Sequence, residues 1–199
     1  MHIICSDLEG VFVPEVWINV AERTGIASLR MTTRDEPDYD KLMRQRLRIL
    51  DEHGLKLKDI QDVIATIRPM DGALEFLWWM RRRTQVIIVS DTFAQFAEPL
   101  MEQLDRPTIF CHNLIVDDDD RITGYKLRQP DPKKKVTQAL QGLEYKVVAF
   151  GDSYNDTSML LQADVGILFR PPANVIADFP GLPVCTDYDT LRKMLEEYI

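Results

Sequence analysis

Short apolar runs alternate with longer segments of helical periodicity along most of this chain. Four runs rich in valine and isoleucine have the length of buried strands, at residues 3–6, 86–90, 147–151 and 165–169. Apolar side chains recur at helical spacing in four further segments, at residues 71–83, 92–104, 132–143 and 155–163. This alternation predicts an α/β fold in which a parallel sheet is flanked by helices on both faces.

Residues 15–68 interrupt the alternation with a segment that is helical almost throughout. The segment is too long for an ordinary connection between a strand and a helix. Pro14 precedes it and Pro69 follows it, and proline commonly marks such boundaries. We therefore predict two units, an α/β catalytic core formed by residues 1–14 and 69–199 and an inserted helical cap formed by residues 15–68.

A second departure is a β-hairpin predicted from two short strand patterns, at residues 113–116 and 121–125. Four consecutive aspartates at residues 117–120 separate them. These aspartates lack the ligand spacing and the terminal glutamate of an EF-hand calcium site. We expect them to form a solvated turn.

Composition and charge restrict the class of partner. Of the 199 residues, 45% are hydrophobic and 28% are charged, and the net charge is −8. A general nucleic-acid binder needs a basic surface, so we expect no nucleic-acid partner. A small anionic substrate remains compatible, because a local pocket with a metal ion can outweigh the overall charge.

Cysteine usage and the first residues indicate a cytoplasmic protein. Cys5, Cys111 and Cys185 form no CxxC pair, which fits reduced, buried thiols. The first residues lack the basic region of a signal peptide, and Asp7 interrupts their apolar run. No apolar stretch approaches the length of a membrane-spanning helix, so we also expect no membrane association.

The first predicted strand ends in two carboxylates, Asp7 and Glu9, followed by Gly10. Alternate side chains of a strand share a face, and open α/β sheets bind ligands beyond the carboxyl ends of their strands. One carboxylate can then attack a substrate while the other transfers protons. The alternative is a strand that ends in an ordinary polar turn.

Ser90 ends the second predicted strand, directly before the helix predicted at residues 92–104. Its hydroxyl and the free N–H groups at the start of that helix can form a cradle for an oxyanion. Alternatively, the serine and Thr92 only cap the helix.

Three consecutive lysines follow Pro132, which suits the first turn of a helix. The helix dipole disfavours cations there, so their position needs a reason. Either the lysines form a solvated basic patch, or one of Lys133, Lys134 and Lys135 turns inward to neutralise a phosphate or the carboxylate of Asp7.

The third strand ends in Gly151 and Asp152, and Asn155 and Asp156 follow shortly after. Asp152 can join Asp7 around a divalent cation, and oxygen ligands of this kind suit Mg²⁺. Asp156 can hold water bound to the metal or orient the lysine. The alternative is a helix cap formed by Asn155 and Asp156.

These segments, in this order, resemble the four motifs of the haloacid dehalogenase superfamily of phosphatases. The matching residues are Asp7-x-Glu9-Gly-Val, Ser90, a lysine near 133 and Gly151-Asp152-x-x-Asn155-Asp156. The resemblance covers the whole chain and implies a Rossmann-like core, a Mg²⁺ cofactor and an aspartyl-phosphate intermediate. It implies catalytic roles for Asp7, Glu9, Ser90 and Lys133, and metal binding by Asp7, Asp152, Asp156 and the backbone carbonyl of Glu9.

The inserted cap and the hairpin resemble the phosphoserine phosphatase group in particular. Glu15 lies near the position of the glutamate that meets the substrate ammonium, one residue nearer the nucleophile than is usual. Arg46 matches the arginine that binds the substrate carboxylate, and Tyr39 matches an aromatic residue that shields the substrate. The resemblance implies L-phosphoserine as the small-molecule substrate, with further binding residues at Ser90, Asp91, Thr92 and Asn155.

Two departures from that group resemble a smaller branch whose members also transfer the phosphoryl group to homoserine. Glu9 stands where aspartate is usual, and Asp91 follows the serine where glycine is usual. We expect Glu9 to accept an alcohol as well as water in the second step. The sequence leaves open the acceptor alcohol, the ratio of hydrolysis to transfer, the identity of the inward lysine and the choice between monomer and homodimer.

Two other functions compete with this reading. One is a phosphatase of another small phosphomonoester, in which Arg46 and Glu15 serve only the cap. The other is a receiver-like signalling module that holds a phosphoaspartate beside Mg²⁺. The helical insertion and the acid two residues after the nucleophile argue against a receiver, and four intact motifs argue against a binding protein without activity.

Overall fold

A seven-stranded sheet forms the centre of the computed structural model, which describes residues 1–32, 35–36 and 38–199. Its strands are β1 (His2–Ser6), β2 (Gln85–Phe93), β3 (Thr108–Val116), β4 (Ile122–Lys126), β5 (Lys146–Gly151), β6 (Val165–Phe169) and β7 (Val184–Cys185). They are arranged in the order β4-β3-β2-β1-β5-β6-β7, and neighbours are parallel except for β3 and β4. The predicted α/β fold is confirmed.

Helices connect the strands and cover both faces of the sheet. The α-helices are α1 (Val16–Thr24), α2 (Tyr39–Glu52), α3 (Leu57–Ile64), α4 (Ala73–Arg81), α5 (Ala94–Gln103), α6 (Pro132–Gly142), α7 (Thr157–Gln162), α8 (Ala173–Asp178) and α9 (Tyr188–Leu195). Two 3₁₀ turns cover Ala27–Arg30 and Tyr154–Asp156. Within the described residues, none of these helices combines the length and the apolar character that crossing a membrane requires.

The central position of β1 brings separate parts of the chain to one edge. Ser6 is paired with Ile88 of β2 and with Phe150 of β5, and all three strands run in the same direction. The N–H of Asp7 continues the pairing by donating to the carbonyl of Phe150 over 3.1 Å. The carboxyl ends of β1, β2 and β5 therefore lie side by side, as a parallel sheet requires.

Two apolar cores form because alternate side chains of a strand point to opposite faces. Ile4 and Val148 belong to one core, which also contains Met43 from the inserted segment. Ile3 and Val147 belong to the other, where α6 and α7 pack against the sheet. The inserted helices thus share a core with one face of the sheet.

The inserted segment is helical, as its periodicity predicts. Residues 15–68 contain α1, the first 3₁₀ turn, α2 and α3, and the described part of this range contains no strand of the sheet. The division into cap and core remains a prediction about units.

The turn between β3 and β4 exposes Asp117, Asp118 and Asp119 to solvent, as expected, but its last aspartate contacts the inserted helices. The carbonyl of Asp120 accepts the N–H of Leu57 over 3.0 Å, and its carboxylate accepts the N–H of Lys58 over 2.9 Å. These N–H groups open the first turn of α3 and have no partner within their own helix. Asp120 therefore joins the hairpin to the inserted helices.

The boundary predicted between the second strand and its helix was wrong. β2 continues through Ser90 to Phe93, and α5 begins only at Ala94. Phe93 pairs with His112 of β3 after a register shift, and the β propensity of threonine and phenylalanine favours this extension. Ser90 therefore does not lie at the N-terminus of α5, contrary to the position expected for it.

Candidate active site

Three buried carboxylates converge beyond the ends of β1 and β5. Asp7 follows β1, Asp152 follows β5, and Asp156 ends the second 3₁₀ turn. One oxygen from each lies within 4.8 Å of the others. Three oxygen donors so close together suit a hard divalent cation, which prefers carboxylate ligands.

Two glycines make this approach sterically feasible. Gly10 has a φ of 73°, and a Cβ at this position would lie 2.5 Å from the carboxylate of Asp152. A Cβ on Gly151 would lie 2.3 Å from Cγ of Asp156. Glycine at both positions therefore provides space for the carboxylates that follow the strands.

Asp156 is held by backbone N–H groups as well as by its place in the cluster. Its Oδ2 accepts the N–H of Asp152 over 2.9 Å and that of Ser153 over 3.0 Å. Ser153 and Asp156 also form the capping box of the 3₁₀ turn. The cap is thus formed by Ser153 and Asp156 and not by the expected pair Asn155 and Asp156, and Asp156 makes no side-chain cap to the helix α7 that follows.

Lys133 is the lysine that reaches the carboxylates. Its Nζ lies 2.6 Å from Asp156 and 3.0 Å from Asp7, and the residue is 1% exposed. Lys134 is half-buried and Lys135 is exposed. The helix α6 that begins at Pro132 thus directs the first of the three lysines inward.

The cluster contains more negative charge than Lys133 neutralises. Burial raises the pKa of Asp7 well above its usual range, and the neighbouring Asp156 raises it further. Burial, followed by Asp156 and Glu15, raises the pKa of Asp152 to about 7. Burial opposes the charge of Lys133, but the surrounding carboxylates outweigh it and raise the pKa of its ammonium group. A bound divalent cation would relieve this excess charge.

Glu9 contacts the first inserted helix instead of the carboxylate cluster. Its Oε2 accepts the N–H of Val16, the first residue of α1, over 2.7 Å. Burial, followed by Glu15, raises the pKa of Glu9 to about 7, although the Val16 N–H opposes this shift. A group with such a pKa can both donate and accept a proton near neutral pH. Metal binding by its backbone carbonyl remains a prediction.

A cavity of about 100 Å³ lies between the carboxyl edge of the sheet and the inserted helices. Its lining includes ten of the residues singled out in the sequence, Asp7, Glu9, Glu15, Tyr39, Arg46, Ser90, Asp91, Thr92, Asp152 and Asn155. Lys133 and Asp156 contact the lining residues Asp7 and Asp152 from outside it. The sheet and the insertion therefore bring the sequence candidates together around one small space.

Arg46 supplies a buried positive charge to this cavity. Its guanidinium lies 4.5 Å from the ring centroid of Trp17, its Nη2 donates to the carbonyl of Met31 over 2.6 Å, and its Nε has no hydrogen-bond partner. Burial lowers the pKa of Arg46 to about 10, so the group remains charged at neutral pH. A buried, incompletely paired guanidinium indicates a site for an anion.

The sequence analysis did not identify Trp17 as a site residue, because the apolar pattern of its helix does not distinguish it from a residue of the core. It borders the cavity and also packs edge-on against Phe96 of α5, with ring centroids 5.7 Å apart. Its contact with Arg46 depends on how α1 and α2 pack.

Asp91 is held by contacts from three directions. Asn155 donates to its Oδ2 over 2.9 Å, Tyr39 donates to its backbone carbonyl over 3.0 Å, and Nε2 of His112 lies 3.6 Å from its Oδ1. Burial alone would raise the pKa of Asp91, but Lys133, His112 and Asn155 outweigh it and hold the pKa below its usual range. His112 was also missed, because it lies in the part of β3 that the sequence did not predict as a strand.

A family model for haloacid dehalogenase-like hydrolases matches residues 4–164. Phosphoserine phosphatase ThrH of Pseudomonas aeruginosa is 60% identical over 193 residues, which cover 97% of this chain and 94% of that protein. A phosphoserine phosphatase of Pseudomonas syringae pv. tomato is also 60% identical over 193 residues, covering 97% of this chain and 81% of that protein.

Solved structures share the fold at lower identity. A phosphoserine phosphatase in its apo form has a TM-score of 0.78 and 22% identity, covering 100% of this chain and 98% of that chain. A phospho-aspartyl intermediate analogue of phosphoserine phosphatase has a TM-score of 0.78 and 21% identity, covering 98% of both chains. The sequence resemblance is confirmed, and this chain belongs to the haloacid dehalogenase-like hydrolases.

Proposed function

We propose that this protein is a Mg²⁺-dependent phosphoserine phosphatase that acts through an aspartyl phosphate on Asp7. The observation that carries the proposal is the single cavity shared by the Asp7 cluster and the buried guanidinium of Arg46. One end can react with a phosphate ester while the other recognises an anion. The names of the two relatives at 60% identity support the same substrate.

The inserted helices supply recognition of the amino-acid end in this proposal. Arg46 donates to the substrate carboxylate, because a guanidinium fork matches a carboxylate in two parallel hydrogen bonds. Glu15 meets the ammonium, and Tyr39 shields the substrate from water. Residues 15–68 would thus act as the cap of the site.

In the first step, Asp7 attacks phosphorus and the bond between phosphorus and the serine oxygen breaks. Glu9 gives its proton to the leaving oxygen, which would otherwise depart as a strongly basic alkoxide. Such general acid catalysis contributes roughly 10²–10⁴-fold to the rate. Lys133 and the Ser90 hydroxyl donate to the phosphoryl oxygens, on which negative charge accumulates.

In the second step, water attacks the aspartyl phosphate and Glu9 accepts its proton. The bond between phosphorus and the Asp7 oxygen breaks, so inorganic phosphate leaves and the carboxylate is restored. Asp7, Asp152 and the backbone carbonyl of Glu9 would hold Mg²⁺, while Asp156 orients Lys133. The bound ion supplies Lewis-acid stabilisation of the phosphoryl oxygens.

Phosphate release from L-phosphoserine tests this function. We expect Mg²⁺-dependent turnover that EDTA abolishes, at a much higher kcat/KM than for sugar phosphates or phosphoglycolate. The Asp7→Asn variant should lose turnover, because the amide cannot replace the nucleophilic carboxylate.

Preference for another phosphomonoester would favour the competing phosphatase function, and full activity of Asp7→Asn would reject the mechanism. The match to a hydrolase family already disfavours the receiver-like module.

The second-step acceptor can also be an alcohol, and we propose homoserine for this role. The longer side chain of Glu9 reaches the N–H of Val16, which places its carboxylate against the inserted helix. From there it can remove a proton from a hydroxyl held under the cap. Adding homoserine to the phosphoserine assay should produce phosphohomoserine, observable by ³¹P NMR.

The Glu9→Asp variant tests this use of the longer side chain. We expect it to retain hydrolysis while the share of product found as phosphohomoserine decreases. An unchanged product ratio would contradict the role of Glu9 in choosing the acceptor.

A further inference from the structure

We propose that His112 is a positioning residue that restrains the carboxylate of Asp91 and thereby keeps Lys133 beside Asp7. The inference rests on the proposed function, because its main readout is phosphoryl transfer. No sequence motif identified this histidine. None of the interactions described for the site joins it to the carboxylate of Asp7 or of Glu9.

The ring of His112 is buried and has a defined proton position. The residue lies in β3 and is 2% exposed. The backbone N–H of Arg128 donates to its Nδ1 over 3.1 Å, so this nitrogen carries no proton. The ring proton therefore lies on Nε2, which is 3.6 Å from Oδ1 of Asp91.

His112 lies outside the cavity that contains Asp7. It borders a second cavity of about 500 Å³ and does not line the smaller cavity at Asp7. Asp91 lines both cavities, as do Tyr39, Ser153 and Asn155. Nε2 of His112 faces the carboxylate of Asp91, and Asp91 in turn lies 3.5 Å from Nζ of Lys133, so we expect an effect of His112 on the reaction to pass through Asp91.

Both oxygens of Asp91 are restrained, and each restraint comes from a different element. His112 faces Oδ1, and Asn155 donates to Oδ2 over 2.9 Å. The Nζ of Lys133 lies 3.5 Å from Oδ2, farther than from Asp156 or Asp7. The two polar neighbours, His112 and Asn155, thus restrain the carboxylate of Asp91 at a longer distance from the Lys133 ammonium group than the carboxylates of Asp7 and Asp156.

Loss of one restraint would change the balance around Lys133. A buried carboxylate that loses a polar neighbour gains most by approaching the nearest cation. Rotation of Asp91 towards Lys133 would draw the ammonium group away from Asp7, where the phosphoryl group is transferred. Small displacements of catalytic groups of this kind can reduce rates by roughly 10²-fold.

A packing role for His112 predicts a different outcome. The ring lies 6.5 Å from the ring of Tyr39 and 6.2 Å from that of Phe93, measured between centroids. Phenylalanine would preserve these aromatic contacts but remove the Nε2 proton, together with the Nδ1 atom that accepts the N–H of Arg128. Glutamine would lose the ring but keep an N–H donor.

The test compares His112→Phe and His112→Gln with wild type, using phosphoserine and p-nitrophenyl phosphate. We expect His112→Phe to lower kcat roughly 10- to 100-fold on both substrates while KM for phosphoserine stays within about twofold. We expect His112→Gln to retain more activity than His112→Phe. The matched control His53→Phe changes an exposed histidine at the end of α2 and should leave both constants unaltered.

A double-mutant cycle shows whether the effect passes through Asp91. In an Asp91→Asn background, the further change His112→Phe should alter kcat by less than about twofold, because the carboxylate it restrains is gone. The same fractional loss in both backgrounds, or wild-type kcat in His112→Phe, would overturn the proposal.

NMR of the folded protein separates this proposal from the proposed function. In ¹⁵N spectra of the imidazole, we expect a protonated Nε2 whose resonance shifts in Asp91→Asn. Wild-type enzyme that is inactive on phosphoserine but active on p-nitrophenyl phosphate would reject the substrate and leave this test intact. An unshifted Nε2 resonance would contradict the contact with Asp91, whatever the substrate.

Discussion

Lys133 shows how the surroundings of one residue define the site. Its ammonium group contacts Asp156 and Asp7 and lies within 3.5 Å of Asp91, so three carboxylates share one cation. The three consecutive lysines alone did not identify the inward one, although the family resemblance favoured Lys133, because burial of α6 against the sheet makes the choice. Asp7 and Asp152 were easier to predict, because each directly follows a buried strand.

Arg46 provides the test of substrate recognition at the residue scale. We expect Arg46→Met to raise KM for phosphoserine roughly 10- to 100-fold with little change in kcat, since a hydrogen bond to a charged group contributes about 1.5–3 kcal/mol. Phosphoethanolamine lacks the carboxylate, so its KM should not respond. Steady-state kinetics measures both.

Arg48→Met is the matched control for this prediction, because Arg48 lies on the same helix with its side chain exposed. An equal rise of KM for phosphoserine and phosphoethanolamine in Arg46→Met would mean that Arg46 stabilises the inserted helices and does not bind the substrate carboxylate.

At the scale of elements, the sequence predicts the strands in which valine and isoleucine dominate. It does not predict strand ends that depend on pairing with a neighbouring strand. The start of β3 at Thr108 was missed because its residues mix polar and apolar types. The end of β2 was misplaced because Phe93 pairs with His112, a contact set by the fold. The two-residue β7 is too short to leave a pattern.

The contact between the hairpin and α3 can be measured as stability. Asp120→Ala removes the carboxylate that accepts the N–H of Lys58, and loss of such a cap costs roughly 0.5–2 kcal/mol. Asp118→Ala, in the same turn but exposed, is the control. Urea denaturation should show a lower free energy of unfolding for Asp120→Ala alone. Equal values for the two variants would show that the turn is only solvated.

Asp164 links stability to pH through the contacts that join α6, β5 and β6. Its carboxylate accepts the N–H of Val147 over 2.9 Å and hydrogen bonds from Gln141 and Lys146. The backbone N–H, aided by these side chains, lowers the pKa of Asp164 to about 2. Because the folded-state pKa is depressed, the stabilisation is present above pH 4 or so and is lost as the pH falls towards about 2.

We therefore expect Asp164→Asn to be less stable than wild type at pH 7, with the difference shrinking below about pH 4. Thermal unfolding at several pH values measures this difference. A constant difference across the acid range would contradict the assigned role of the carboxylate.

For the molecule as a whole, the acidic cluster couples metal binding to folding. A cation that binds only the folded state stabilises it by about 2.7 kcal/mol at a free concentration 100 times its Kd. We expect Mg²⁺ to raise the Tm of wild type and to have little effect on Asp152→Asn. Asp189→Asn removes an exposed carboxylate on α9 and should retain the wild-type response. A similar Mg²⁺ response in Asp152→Asn would place the ion elsewhere.

The inserted helices are attached to the hairpin of β3 and β4 as well as to the chain at their two ends. Besides the chain connections, Asp120 accepts from α3, Arg121 pairs with Asp51 of α2, and Tyr125 hydrogen bonds to Asp40. Movement of α2 and α3 away from the site would therefore either break these contacts or carry the hairpin along. The rate of substrate exchange would then depend on a strand pair at the edge of the sheet, far along the chain from the residues that react.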